Sequence, residues 1–129
     1  MLHQIKNSIK DGGMLYLYGE IGAGKTTLVK QIAETFGLDP IKIKSPTYTY
    51  YRKYTLSPDQ DFYHFDLYRL EHSDDKLLGE ITEILQNPKN ILAIEWPNQL
   101  AAHLPAAKLT VKIEIKEDKR EFKLLSSNL

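Results

Sequence analysis

Gly19-Glu20-Ile21-Gly22-Ala23-Gly24-Lys25-Thr26 decides how this 129-residue chain is read. The stretch fits G-x-x-x-x-G-K-[ST] at every fixed position. In that pattern the glycines let the backbone wrap so that successive N–H groups point inward at phosphate oxygens. The flanks supply the context the pattern needs. Upstream, Met14-Leu15-Tyr16-Leu17-Tyr18 is a short apolar run rich in strand formers and predicts a buried strand. Downstream, Leu28, Val29, Ile32, Ala33 and Phe36 recur at helical spacing, and Gly37 stands where a C-terminal cap belongs. Strand, glycine loop and helix open an α/β domain. In such a domain Lys25 is placed to reach the β- and γ-phosphates, and the Thr26 hydroxyl to ligate Mg²⁺. Glu20, Ile21, Gly22, Ala23, Gly24, Lys25, Thr26 and Thr27 are therefore the candidate nucleotide-binding set.

Working outward, Leu2, Ile5 and Ile9 share one helical face, and Gly12-Gly13 stops that helix. Thr47 to Tyr54 is dense in Tyr and Thr, which favours strand, and Ser57-Pro58-Asp59 is a turn signal. Phe62 to Phe65 reads as a short strand ending at Asp66. A helix carrying Leu77, Leu78, Ile81, Ile84 and Leu85 begins near Ser73 or Asp74 and stops before Pro88. Ile91-Leu92-Ala93-Ile94, ending in Glu95, has the pattern of a strand buried on both faces. Pro97 and Pro105 bound a short helix or loop. From Leu109 apolar and polar residues alternate to Ile115, turn at Glu117-Asp118-Lys119, and alternate again through Phe122 and Leu124, which predicts a C-terminal hairpin. The length fits one domain, residues 1–129, with no repeat and no low-complexity linker.

Charge narrows the partners. The chain carries 17 Lys+Arg against 17 Asp+Glu, which removes the simplest argument for direct nucleic-acid binding, a basic overall charge, and leaves a local basic patch open. The balance is uneven: residues 45–75 hold three positive and six negative groups, and six of the eight tyrosines lie between Tyr48 and Tyr68. The chain has no cysteine, which excludes disulfides, thiolate catalysis and Cys-ligated metals. No run approaches the roughly 20 apolar residues of a membrane span, and Met1 to Gly13 lacks a secretory signal's apolar core. A cytoplasmic address, away from membranes, is the expectation.

Several residues outside the loop are candidates for chemistry. Glu95 ends a buried strand, where ligands gather in open α/β sheets. It can hold Mg²⁺ directly or through water, position the attacking water, or simply cap a strand end. Asp66 is a second candidate carboxylate, with a salt bridge to Arg69 or a turn-starting role as the bland alternative. Thr47, in Ser45-Pro46-Thr47, could close over the γ-phosphate as switch loops do, or be an ordinary strand-entry residue. The tyrosines from Tyr48 to Tyr54 could stack bases, or form a half-buried sheet face or a protein interface. Trp96 is a core anchor or a binding aromatic. His3, His64, His72 and His103 show no metal-ligand spacing and read as surface or internally satisfied histidines.

Taken in order, the glycine loop through Thr27, Ser45-Pro46-Thr47-Tyr48, His64-Phe65-Asp66-Leu67-Tyr68-Arg69-Leu70 and Ile94-Glu95-Trp96-Pro97 resemble the TsaE (YjeE) family. These are small P-loop ATPases of bacterial tRNA threonylcarbamoyladenosine synthesis. Leu104-Pro105 and Arg120 also suit it. The resemblance spans essentially the whole chain. It implies a three-layer P-loop NTPase fold with a mixed central sheet. It implies ATP and Mg²⁺ as cofactors, with Thr26 and Glu95 at the metal, Asp66 close to it and needed for hydrolysis, Thr47 in a first switch, and Trp96 beside the nucleotide. Lys25, Asp66, Glu95 and Thr47 become the expected catalytic set. The implied partners are TsaD-like and TsaB-like subunits, the first of which transfers the threonylcarbamoyl group, with tRNA contacted only indirectly. Two departures stand out. Family members usually begin with a further segment that includes a strand, so a sheet one strand shorter and a less complete base pocket are expected. Asn98 stands where an acidic residue often follows the Trp-Pro pair.

Two other functions fit a phosphate loop. A small nucleoside or nucleotide kinase would need an acceptor site and an arginine-bearing lid, and the chain has only Arg52, Arg69 and Arg120. For ATP hydrolysis, Arg52 and Arg69 are the nearest candidates in sequence for an arginine finger, unless a partner supplies one. A nucleotide-gated adaptor would bind ATP without meaningful hydrolysis.

Overall fold

The computed structural model describes residues 1–46 and 49–127. The expectation placed on Thr47 lies outside the described residues, as does Tyr48. The chain forms α1 (Leu2–Ile9), β1 (Gly13–Gly19), α2 (Lys25–Thr35), β2 (Tyr51–Ser57), β3 (Gln60–Asp66), α3 (Asp75–Leu85), β4 (Ile91–Glu95), β5 (Leu109–Lys116) and β6 (Lys119–Ser126), with short 3-10 turns at Pro40–Lys42, Pro97–Gln99 and Ala101–His103.

The strands make one sheet in the order β2-β3-β4-β1-β5-β6. The inner four are parallel, and an antiparallel strand flanks them on each side. The mixed sheet is thus present. Alternation along each strand divides the side chains between two cores. Leu15, Leu17, Phe62, Ile91, Ala93, Val111 and Ile113 face α1 and α2, where Ile5, Ile9, Leu28, Val29 and Ile32 meet them. Met14, Tyr16, Tyr63, Phe65, Leu92 and Ile94 face α3 and the 97–107 segment, against Leu77, Ile81 and Leu100. Helix, sheet and helix are the three layers. Each fully buried Leu, Ile or Phe contributes about 1.5–3 kcal/mol. β4 is buried at all five positions, which is why its sequence runs apolar rather than alternating.

The helix ends follow their local chemistry. Asp74 caps α3 by accepting from the Leu77 amide at 3.1 Å. Gly37 follows α2 with φ 88°, and the Leu38 amide reaches back to the Ala33 carbonyl at 3.1 Å. One boundary differs from the sequence reading. Among the described residues of the Tyr/Thr run, strand begins at Tyr51, not at Thr49 or Tyr50. Its partner β3 ends at Asp66, and the single bond from the Asp66 amide to the Tyr50 carbonyl is the last rung.

Candidate nucleotide-binding site

The site lies at the C-terminal ends of β1, β3 and β4. β1 delivers the glycine loop, and α2 starts as soon as the loop closes. Gly24 carries the turn into the helix at φ 102°, a left-handed conformation that side chains rarely adopt. Gly19 is needed for space, because a Cβ there would stand 3.0 Å from the Ile113 carbonyl oxygen and 3.2 Å from the Ala23 Cβ. The Lys25 ammonium is nearly buried and donates to the carbonyls of Gly19 at 2.6 Å and Glu20 at 2.9 Å. It also sits 4.3 Å from the centre of the Trp96 ring. Burial pulls its pKa below the ordinary lysine value, while Glu95 and Asp66 pull it back up.

Opposite the loop stand two carboxylates. Asp66 and Glu95 are register partners on neighbouring parallel strands. Both line a cavity of about 400 Å³ together with Gly24, Lys25, Thr26 and Trp96. The Thr26 hydroxyl donates to the Glu95 carboxylate, 3.0 Å from one oxygen and 3.1 Å from the other. Ser45 Oγ lies 3.4 Å from the same hydroxyl, which brings the segment before Thr47 beside the site. Asp66 accepts from the Tyr68 amide at 3.1 Å. Burial raises its pKa; that bond, His64 and Lys25 lower it, and Glu95 raises it further.

Trp96 has φ 55° and ψ 56°, a left-handed conformation that is strained for so bulky a residue. The kink turns the indole away from the strand direction and over Lys25, and its ring centre is 5.0 Å from that of Tyr68. Trp96 is therefore a site aromatic and not only a core anchor. A roomier cavity of about 520 Å³ lies beside Trp96, between Tyr18, Asn98 and Lys112, but neither Lys25, Thr26 nor either carboxylate lines it. The chemistry converges on the smaller one.

Two residues at the site were not in the expected set. Arg120, at the start of β6, donates to the carbonyls of Ala23 at 2.8 Å and Gly22 at 3.1 Å, so the hairpin clasps the loop from outside. Of the three arginines it is this one that reaches the loop. Arg52 is exposed on β2, and Arg69 lines a neighbouring cavity with Asp66 and Tyr68. The other residue is His64, which is fully buried and bonded to Glu95 at 2.5 Å. The sequence carried one signal for it. Positions 64 and 66 point to the same face of a strand, so His64 shares the face of Asp66.

The donor set fits a hard cation. A hydroxyl and two carboxylates are oxygen ligands of the kind Mg²⁺ takes. Among the described residues no cluster of three His, Cys, Asp or Glu side chains could hold a metal by itself. Such a sparse set suits an ion that completes its shell with phosphate oxygens and water.

A phosphate loop on a central parallel strand, with a carboxylate reaching the loop threonine from the adjacent strand, is the plan of a P-loop nucleotide-binding protein. Comparison with known proteins narrows this class. The family model "Threonylcarbamoyl adenosine biosynthesis protein TsaE" matches residues 1–122, and the chain belongs to that family. The TsaE protein of Haemophilus influenzae is 36% identical over 113 residues, covering 88% of this chain and 70% of that one. The Bacillus subtilis TsaE protein is 35% identical over 117 residues, with 88% and 69% covered. The crystal structure of Bacillus subtilis YdiB superposes with a TM-score of 0.66 at 25% identity, over 98% of this chain and 80% of that one. The resemblance read from the four motifs, and the fold it implied, are borne out.

Proposed function

We propose that this protein binds and slowly hydrolyses ATP with Mg²⁺, and that hydrolysis serves the threonylcarbamoyladenosine modification of tRNA. The observation that carries the reading is the contact of the Thr26 hydroxyl with both Glu95 oxygens, beside Lys25 on the glycine loop. The loop amides from Glu20 to Thr27 wrap the phosphates, and Lys25 moves from the loop carbonyls to the β- and γ-phosphates. Thr26 and Glu95 would hold Mg²⁺, which would supply charge neutralisation. Asp66, whose pKa burial raises from the ordinary Asp value, orients the attacking water. Thr47 closes the segment that starts at Ser45. Trp96 covers Lys25 and limits water at the phosphates. Catalysis is then positioning plus charge stabilisation.

The acceptors of this work are TsaD-like and TsaB-like subunits in the cytoplasm, and those subunits hold the tRNA. The balanced charge of the chain agrees with that division. Mixing the protein with both subunits, ATP and tRNA, and measuring phosphate release and modified tRNA over many turnovers tests the reading. Native protein is expected to sustain both, and Lys25→Ala neither. Equal tRNA yield with and without the protein would overturn the role in modification. Glu95→Ala with unchanged turnover would point to an adaptor, and a phosphorylated nucleoside across an acceptor panel to a kinase.

A further inference from the structure

We propose that His64 is a positioning residue that holds the Glu95 carboxylate in place at the metal site. The inference rests on the reading of Glu95 as a metal carboxylate and extends it one residue into the core. Three observations carry it. His64 has no exposed surface, and Glu95 is only 3% exposed. His64 Nε2 lies 2.5 Å from Glu95 Oε2, and because a carboxylate only accepts, Nε2 carries the hydrogen. His64 Nδ1 is buried with no hydrogen-bond partner among the described residues.

The third observation gives the argument its force. A buried polar atom without a partner is costly, and an apolar side chain of similar shape would fill the same space without that cost. His64 sits on β3 beside Ala93 of β4, facing the apolar core of α1 and α2, where packing alone calls for an apolar residue. What the imidazole adds is its one bond to Glu95. That bond fixes Oε2 from β3, while the Thr26 hydroxyl reaches both oxygens from α2. The carboxylate is thereby held between β3 and α2 before any ligand arrives. Partners of metal-binding carboxylates act in this way, through orientation and not through contact with the metal.

Isothermal titration calorimetry with ADP, with and without MgCl₂, tests the inference in native protein, His64→Leu, His64→Gln and Glu95→Gln. The glutamine amide can place a donor near the Nε2 position. His64→Leu is expected to lose about 10-fold or more of the Mg²⁺-dependent gain in ADP affinity, with metal-free ADP affinity nearly unchanged, and His64→Gln to keep most of the gain. A native-sized gain in His64→Leu, together with its loss in Glu95→Gln, would overturn the role of His64 and leave the reading of Glu95 intact. A native-sized gain in Glu95→Gln would overturn both. If His64→Leu does not fold, ring-nitrogen NMR of the native protein decides. A protonated Nε2 whose resonance moves when Mg²⁺ is added to the ADP complex supports the role, and one that does not move overturns it.

Discussion

Two carboxylates side by side on adjacent strands are given different surroundings. Glu95 is bonded by His64 on β3 and by Thr26 on α2. Asp66 has one amide bond, from Tyr68, and a pKa raised chiefly by burial. The sign of the consequence follows from linkage. A raised folded-state value means that Asp66 favours the fold most when protonated, below the ordinary carboxylate range. That contribution is lost as pH rises through the folded value. Above the folded value the ionised side chain is therefore a burden on stability, lightened by its partial exposure. Asp66→Asn, which cannot ionise, is expected to raise the melting temperature at pH 7 while abolishing the proposed ATP turnover. A lower melting temperature would show that the Tyr68 bond outweighs desolvation. Legibility at this scale was uneven. Glu95, Asp66, Lys25 and Thr26 stand at strand ends or in a motif, places where sequence announces chemistry. The resemblance includes His64 and Arg120, but their partners lie 31 and 97 positions away in the chain, and no local pattern names those contacts.

Elements were legible where a local cause defined them. The apolar run of β4, the Asp74 cap of α3 and the glycines after α1 and α2 each have a physical meaning within a few residues. The start of β2 was not legible, because it depends on where β3 runs out. Strand order likewise depends on contacts between distant segments; the resemblance implied a mixed sheet, and only the structure gives the order. The β5–β6 hairpin shows how an element serves the site. Its turn residues Glu117 and Asp118 both have positive φ, 49° and 64°, the conformation that Asn-Gly fills best. Two positions later Arg120 meets the loop. Replacing Glu117→Asn and Asp118→Gly together is expected to raise unfolding free energy by roughly 1 kcal/mol, since each non-glycine residue in this conformation carries strain. Urea denaturation reads this directly, and a loss of stability would mean that the side chains at the turn contribute more than the backbone strain.

At the scale of the molecule, the layers divide labour. The α1–α2 side carries the loop helix and the buried His64, and the opposite side packs α3 and the 97–107 segment on the sheet. The edge strands β2 and β6 are lined with Arg52, Lys53, Lys119, Lys123 and acidic neighbours, which discourages edge-to-edge pairing. No helix among the described residues is long and apolar enough to cross a membrane. The kink at Trp96 has a practical consequence. The chain contains one tryptophan, and its ring lies 4.3 Å from the lysine proposed to move when phosphate binds. A positive charge that leaves an indole face changes the field on the chromophore. Excited at 295 nm, the protein therefore carries its own optical reporter. Emission is expected to shift when ATP is added, and the shift to be largely lost in Lys25→Met, so stopped-flow fluorescence could follow occupancy of the phosphate site with no dye attached.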